Sequence, residues 1–232
     1  MRAEDHRALV DAILADIGVP DGMDGTSFGA GRLRETECVY DAGRAPVCHV
    51  VAGANGSGKS TFALHFLPRY ASCLEFVNPD LIAGGLSPFD PARSAVKAGK
   101  LVLERIREIS DERHDFGFET TLSGRGYLAW FETLKRIGYH IHLYYLWVPG
   151  ATLLVSRIRQ RVASGGHFVP DGDVMRRYVR SFGMFPEYAR LVDKVRLFDN
   201  SGAVPVLTYE KNGDAVIHDA LRFEQIKRGI VL

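Results

Sequence analysis

Residues 47–61 read Val-Cys-His-Val-Val-Ala-Gly-Ala-Asn-Gly-Ser-Gly-Lys-Ser-Thr, and this stretch decides how the rest of the chain is interpreted. Its first six residues form a short apolar run that ends in glycine, which is typical of a buried parallel strand. Residues 53–60 then match the pattern Gly-x-x-x-x-Gly-Lys-Ser/Thr. A helix is predicted from Gly58 to about Leu67. A matching glycine-rich turn can arise by chance, but a strand before it and a helix after it favour a phosphate-binding loop.

Each position of this loop has a chemical reason. Glycines let successive backbone N–H groups turn toward one anion, and the helix that follows presents the positive end of its dipole. Lys59 is expected to reach the β- and γ-phosphates, and the Ser60 hydroxyl to bind Mg²⁺. We therefore expect ATP and Mg²⁺ as ligands. The residues assigned to the nucleotide are Gly53, Ala54, Asn55, Gly56, Ser57, Gly58, Lys59, Ser60 and Thr61.

Strand and helix patterns alternate along the remaining chain. Further strands are predicted at 74–77, 116–118, 140–148 and 195–198, with helices at 91–111, 125–137, 151–163 and 173–191. A terminal hairpin is predicted from 204–209 and 215–217 across Asn212-Gly213, followed by a helix at about 219–227. This alternation predicts an α/β fold, a mostly parallel sheet with helices on both faces. Residues 1–40, with a helix at 4–18, read as an appendage to a domain spanning 41–232.

Bulk properties exclude several classes of protein. The chain has 232 residues, a net charge of +1 and three cysteines without a CxxC pair. These values argue against a disulfide framework, a zinc site and non-specific binding to nucleic acid. The N-terminus lacks the apolar core of a signal peptide, and the most apolar stretch, 141–155, is too short to span a bilayer. We expect a cytoplasmic protein with neither a membrane nor a nucleic acid as partner.

Two acids follow predicted strands and indicate the class of P-loop protein. Asp80 lies just past the second strand, where a carboxylate can accept a proton from an attacking hydroxyl. Alternatively, Asp80 caps a helix beginning at Leu81. Glu119 ends the third strand as a Walker B acid does, and such an acid orients Mg²⁺ or its water; an ordinary strand-end acid is the alternative. Thr120 and Thr121 come next and could line an acceptor pocket.

Other P-loop classes fit less well. Residues 122–126, Leu-Ser-Gly-Arg-Gly, faintly resemble the signature loop of transporter ATPases. The strand after that loop should then carry a Walker B acid, and 141–148 carries none. A guanine-reading NKxD motif is also missing from the sequence, so both the transporter and the GTPase interpretation are disfavoured.

Phosphoryl transfer to a hydroxyl also needs positive charge over the transferring group, often from a mobile lid. The segment 157–182 is predicted to be a small helical lid hinged at Gly165-Gly166. Arg157 and Arg161 lie one turn apart and share one helix face. A solvated basic helix surface is the alternative. The cationic residues of the segment are Arg157, Arg159, Arg161, His167, Arg176, Arg177 and Arg180.

Taken in order, these motifs resemble the zeta toxin family of P-loop kinases over roughly residues 46–202. The resemblance is carried by the segments 53–61, 76–83, 118–121, 165–167 with 176–177, and 199–201. It implies a P-loop kinase-like fold in which Lys59 and Ser60 bind the ATP phosphates and Asp80 is the base. It also implies Thr121 near the acceptor and lid cations at the γ-phosphate. Arg157 and Arg161 are the candidates for these catalytic cations, because the lid arginines of the family fall near this helix.

Known members of that family phosphorylate the amino sugar of UDP-N-acetylglucosamine, so a nucleotide sugar is the acceptor that the resemblance implies, and an antitoxin protein is an implied partner. The acceptor contacts are assigned to Asp80, Glu119, Thr120, Thr121 and His167, and the Mg²⁺ contacts to Ser60 and Glu119. His167 stands where the family has an arginine. Two alternatives remain open. One is a kinase for another acceptor, such as a nucleotide, an antibiotic or a nucleic-acid end, and the other is a non-catalytic nucleotide-binding module.

Overall fold

The computed structural model describes residues 44–166 and 168–230. The expected appendage at 1–40, with its helix and Cys38, lies outside the described residues, and so does His167.

The described chain is built on one sheet. Its strands are β1 (Val47–Ala52), β2 (Phe76–Val77), β3 (Phe116–Thr120), β4 (His140–Trp147), β5 (Lys194–Asp199), β6 (Val206–Asn212) and β7 (Asp214–Ile217). Their order in the seven-stranded sheet is β2-β3-β1-β4-β5-β6-β7. The first five strands pair in parallel, whereas β6 and β7 extend the sheet as an antiparallel hairpin. The predicted mostly parallel sheet and terminal hairpin are confirmed.

Helices cover both faces of this sheet. They are α1 (Lys59–Tyr70), α2 (Pro79–Leu86), α3 (Ala95–Asp111), α4 (Gly126–Arg136), α5 (Ala151–Ala163), α6 (Asp171–Leu191) and α7 (Ala220–Ile230). On one face, Phe62 and Phe66 of α1 pack against Val51 and its neighbours. On the other, Phe131 of α4 and Tyr188 of α6 join the larger core cluster. Burying each such side chain stabilises the fold by roughly 1.5–3 kcal/mol.

The order of the strands places the loop after β1 in the middle of the five parallel strands, at their carboxyl edge. β1 pairs with β3 on one side and with β4 on the other, so the chain winds in opposite directions on its two flanks. Open α/β sheets hold their ligands at such a switch point, outside the carboxyl ends of the strands. The ends of β2, β3, β4 and β5 therefore converge on the glycine-rich loop.

Two elements differ from the sequence prediction. Helix α2 forms a full element at Pro79–Leu86, between β2 and a short 3-10 turn at Pro91–Ser94 that precedes α3. The end of α5 and the start of α6 form the segment predicted as a lid, but Phe182, Phe185 and Tyr188 anchor the second half of α6 in the core.

In residues 44–166 and 168–230, the structure contains no helix that is both long and apolar enough for a bilayer.

Candidate active site

A cavity of about 610 Å³ opens at the carboxyl edge of the sheet, beside the loop that follows β1. Five separate parts of the chain contribute to it: the P-loop and α1, the start of α2, the end of β3, the lid helices and the loop after β5. The lining residues predicted from the sequence are Asn55, Gly56, Gly58, Lys59, Ser60, Thr61, Asp80, Glu119, Thr120, Thr121, Arg157 and Arg161. Tyr127, Arg177 and Asn200 also line the cavity.

Glycine is required at two positions of the loop. Gly53 has φ +139°, and a Cβ there would lie 2.5 Å from the carbonyl oxygen of Leu146. Gly58 has φ +88°, and a Cβ would lie 2.6 Å from the Asn200 amide nitrogen. Both the backbone conformation and the close approach of β4 and the loop after β5 therefore exclude a side chain. Gly53, Ala54 and Ser57 are buried and do not line the cavity, whereas the other residues of the loop do.

Lys59 places a buried cation at the floor of the cavity. Its side chain is 8% exposed, and its Nζ donates a hydrogen bond of 2.9 Å to the carbonyl oxygen of Ala54. Burial lowers the pKa of Lys59, and the nearby carboxylates of Glu119 and Asp80 partly oppose that shift. A buried ammonium beside a cradle of backbone N–H groups favours an anionic ligand such as a phosphate.

Ser60 and Glu119 meet across β1 and β3. The parallel register pairs Val51 with Glu119, which places the carboxylate beside the first turn of α1. The Ser60 Oγ donates a hydrogen bond of 2.7 Å to Glu119 Oε2. A hydroxyl and a carboxylate next to a phosphate cradle are the oxygen ligands that Mg²⁺ takes together with phosphate oxygens. These residues therefore fit the metal predicted from the sequence.

Asn78, not Asp80, caps helix α2. The Asn78 side chain is 3% exposed, and its Oδ1 accepts hydrogen bonds from the backbone N–H groups of Asp80 at 2.8 Å and Leu81 at 3.1 Å. Asp80 itself lines the cavity, and its negative charge acts on Lys59. The capping role that competed with a chemical role for Asp80 therefore belongs to its neighbour.

Two arginines face Lys59 from the lid helices. Arg161 on α5 and Arg177 on α6 line the cavity, and their charges contribute to the lowered pKa of Lys59. The Arg177 guanidinium also donates a hydrogen bond of 3.2 Å to Asn55 Oδ1 in the P-loop. In the sequence, Arg177 is one cation of a basic segment and part of the family resemblance, but it is not singled out as a catalytic candidate. Arg159 and Arg176 instead pair with Asp171 and Asp173, as the solvated-surface alternative predicts.

Arg157 makes a different set of contacts from Arg161. Its guanidinium donates hydrogen bonds to backbone carbonyl oxygens of the loop after β5: Asn200 at 2.8 Å, Ser201 at 2.9 Å and Gly202 at 3.4 Å. Asn200 in turn donates from Nδ2 to the carbonyl oxygen of Ser57 at 2.6 Å. Arg157 and Arg161 lie one turn apart on the same helix face, but their side chains therefore have different contacts.

The loop after β3 forms the wall of the cavity on the Asp80 side. Thr120 Oγ1 accepts a hydrogen bond of 3.1 Å from the Leu122 N–H, and Thr121 Oγ1 lies 3.0 Å from Ser123 Oγ. Leu122 is buried with φ +46°, a left-handed conformation that costs a leucine on the order of 1 kcal/mol. This held turn brings Thr120, Thr121 and Tyr127 to the cavity.

Comparison of sequences identifies a relative of this chain. No model of a known protein family matches the chain. A protein of Haemophilus influenzae described as uncharacterized is 32% identical over 126 residues, which is 54% of this chain and 88% of the relative. The chain belongs to the same family as that protein.

Solved structures share the fold. The AvrRxo1-ORF1:-ORF2 complex with ATP matches at a TM-score of 0.66 and 17% identity, over 80% of this chain and 64% of that one. The PezAT chromosomal toxin-antitoxin system of Streptococcus pneumoniae matches at a TM-score of 0.56 and 15% identity, over 79% of this chain and 84% of that one. The chain has a zeta toxin-like P-loop kinase fold, and the expectation drawn from its motifs is confirmed at that level.

Proposed function

We propose that the protein is a kinase that transfers the γ-phosphate of ATP to a hydroxyl group of a small molecule. One observation carries this proposal: the P-loop, Asp80, Glu119 and the lid arginines line a single cavity. A solved structure with the same fold contains ATP, which supports the choice of nucleotide.

The phosphate end of the cavity binds the nucleotide in this proposal. The backbone of residues 53–60 and the Lys59 ammonium hold the β- and γ-phosphates, and the N-terminus of α1 adds its dipole. Ser60 and Glu119 hold Mg²⁺, which, when bound, neutralises phosphate charge as it develops. Glu119 also orients the Ser60 hydroxyl through their hydrogen bond.

Asp80 acts as the general base. Its carboxylate accepts the proton of the acceptor hydroxyl while that oxygen forms a bond to the γ-phosphorus. The bond from the γ-phosphorus to the β–γ bridging oxygen breaks, and ADP carries away the electron pair. Asp80 lies in the first turn of α2 and lines the cavity, and Asn78 supplies the helix cap, which supports a chemical role for the Asp80 carboxylate.

Arg161 and Arg177 stabilise the charge on the transferring phosphoryl group. They approach Lys59 from two different helices, so they can surround the γ-phosphate from the lid side. Closing these helices over the cavity would also exclude water and limit hydrolysis of ATP. Arg157, the other cation proposed from the sequence, is committed to backbone carbonyls on the nucleotide side.

The resemblance to the zeta toxin family suggests both the acceptor and a protein partner. UDP-N-acetylglucosamine is the first acceptor to test, with Thr120, Thr121 and His167 as its binding residues. The PezAT match is to a toxin-antitoxin system, which supports an antitoxin protein as partner. A cytoplasmic setting, with residues 1–40 as a helical appendage to the kinase domain, completes the proposal.

A panel assay tests this function. The full chain is incubated with ATP labelled in the γ-phosphate, Mg²⁺ and one candidate acceptor at a time: nucleotide sugars, nucleotides, aminoglycoside antibiotics and nucleic-acid ends. We expect ADP release to rise only with a suitable acceptor, whose mass increases by one phosphate. Lys59→Met serves as the inactive control. ATP binding without transfer to any acceptor would favour the non-catalytic module.

A further inference from the structure

A second and much smaller cavity borders the P-loop on its buried side. Its volume is about 10 Å³, which is about the space that one water molecule needs. The P-loop, the end of β4 and the helices α5 and α6 all contribute to its lining, which includes Ala54, Ser57, Trp147, Leu154 and Tyr178. These five residues do not line the large cavity, so the small one is a separate feature of the fold.

Two polar atoms at this small cavity lack partners. Ser57 Oγ and Trp147 Nε1 are buried, and neither has a hydrogen-bond partner in the part of the chain that the structure describes. Ser57 is 1% exposed and Trp147 is 7% exposed. The Ser57 backbone is already paired, because its N–H donates to the carbonyl oxygen of Ala54 at 3.2 Å and its own carbonyl oxygen accepts from Asn200. Buried polar groups in proteins are normally paired with protein or with water, so two unpaired atoms at one cavity indicate a ligand between them.

The chemistry of the two atoms identifies the ligand. An indole N–H only donates, so the ligand must accept a hydrogen bond from Trp147, which a metal cation does not do. A serine hydroxyl both donates and accepts, so Ser57 fits either role. The Tyr178 hydroxyl donates to the carbonyl oxygen of Val148 at 3.2 Å and accepts from the Gly150 N–H at 3.0 Å, which leaves it one lone pair. Water is small enough, accepts from Trp147 and has two hydrogens for Ser57 and Tyr178.

We propose that one buried water molecule binds in this cavity between Trp147 and Ser57, and that Trp147 positions the P-loop through it. Ser57 lies two residues before Lys59, and Tyr178 follows Arg177, which contacts the P-loop from α6. The water thus joins β4 and the lid helix to the loop that receives the phosphates. A loop that is ordered before its ligand arrives loses less conformational entropy on binding. This effect on ATP rests on the proposed function.

The water itself is tested on the wild-type chain. A crystal structure should show a water oxygen roughly 2.7–3.2 Å from both Trp147 Nε1 and Ser57 Oγ. In solution, the Trp147 indole N–H should show a nuclear Overhauser effect to bound water in the ¹⁵N-labelled chain, and Trp147→Phe identifies its signal against that of Trp130. An empty cavity, or a direct hydrogen bond between the two side chains, would overturn the proposal.

A double-mutant cycle tests whether the two residues act through one water molecule. Trp147→Phe removes the donor and Ser57→Ala removes the hydroxyl, and calorimetry gives the affinity of each full-length variant for Mg²⁺-ATP. We expect each change to weaken binding roughly three- to tenfold, the scale of one hydrogen bond. The double variant should be no weaker than the weaker single variant, because both changes remove the same bridge.

Trp130 provides the matched control for that cycle. It is the other tryptophan of the chain, packs against the core beside Phe118 and does not line the small cavity. The effects of Trp130→Phe and Ser57→Ala should therefore multiply. Losses that multiply for Trp147→Phe and Ser57→Ala as well would show independent roles and overturn the positioning of the P-loop by Trp147. The thermal unfolding midpoint shows whether each variant is folded at the temperature of the titration.

Failure of this inference and failure of the proposed function give different results. A wild-type chain that contains the water but does not bind ATP would refute the nucleotide site and leave the water site in place. A wild-type chain that binds ATP while its small cavity is empty would refute only the water site.

Discussion

At the scale of single residues, two residues that lie close together in the sequence take different roles: one supports the structure, and the other is available to a ligand. Asn78 supplies the cap that helix α2 needs, so the carboxylate of Asp80 is not consumed by the backbone N–H groups. On α5, Arg157 binds the loop after β5, while Arg161 faces Lys59. The sequence alone did not show which residue of each pair has which role, because either side chain is chemically suited to both roles.

Removing the charge of Asp80 tests its role as base. We expect Asp80→Asn to lower kcat by roughly 10²–10⁴-fold, because the amide cannot accept the proton of the acceptor hydroxyl. ATP affinity should change little, since the P-loop and Lys59 remain. The measurements are steady-state kinetics and ATP titration. Asp90→Asn, at an exposed acid beyond the end of α2, is the control and should behave as wild type. Near-native turnover of Asp80→Asn would remove the base assignment.

The contact between Ser60 and Glu119 predicts a specific dependence on Mg²⁺. Glu119→Gln keeps an oxygen that can accept the Ser60 hydrogen bond but removes the negative charge. We expect the Mg²⁺ concentration for half-maximal activity to rise roughly 10–100-fold, the usual cost of losing a group that binds or orients a metal ligand. Activity is measured across a Mg²⁺ titration at fixed ATP. An unchanged Mg²⁺ requirement would show that Glu119 is an ordinary strand-end acid.

At the scale of elements, the sequence predicted those helices and strands whose bounds are determined by residues close to them in the chain. Strand β1 and helix α5 have the predicted bounds. β1 is a short apolar run that ends in glycine, and α5 lies between Pro149-Gly150 and Gly165-Gly166, which interrupt regular structure. Helix α2 was considered only as an alternative, since Pro79, two glycines and one polar position give an eight-residue helix little periodicity. Its start depends on a single capping side chain, Asn78, preceding Pro79.

That cap can be tested directly. We expect Asn78→Ala to lower the free energy of unfolding by about 1 kcal/mol, because two backbone N–H groups of α2 lose their acceptor. Asn78→Ser keeps a capping oxygen and should retain most of the stability. Urea unfolding monitored by circular dichroism compares the variants. The alanine variant should also lower kcat, since α2 positions Asp80, whereas equal stability of both variants would argue against the cap.

At the scale of the whole molecule, the site depends on contacts that sequence order hides. Arg177 reaches Asn55 across 122 residues, and Asn200 reaches Ser57 across 143. The sequence predicted that the P-loop, Asp80 and Glu119 lie together, because each follows its own strand and the carboxyl ends of parallel strands share one edge. In the structure all three line one cavity. It could not rank the lid arginines, because their surroundings are fixed by how α5 and α6 pack onto the sheet.

The sheet also contains two neighbouring histidines, one buried and one half-buried, that should make stability depend on pH. His49 of β1 is 3% exposed, its Nδ1 lies 3.2 Å from the Tyr144 hydroxyl, and its ring contacts His142 of β4 with centroids 5.5 Å apart. Burial, reinforced by His142, lowers the pKa of His49 to about 3. Burial together with the charges of Lys194 and Arg196 lowers the pKa of His142 to about 4.

The direction of the pH effect follows from proton counts. An unfolded histidine binds its proton near about pH 6.5, whereas folded His49 stays neutral, so the unfolded state binds more protons as the pH falls below that value. Stability is therefore present at neutral pH and is lost on acidification, by roughly 1.4 kcal/mol from His49 at about pH 5.5. We expect His49→Gln to remove about that much of the loss between pH 7.5 and 5.5 in urea unfolding. His114→Gln, at an exposed histidine just before β3, should keep the wild-type dependence, and the same dependence in His49→Gln would contradict the assignment.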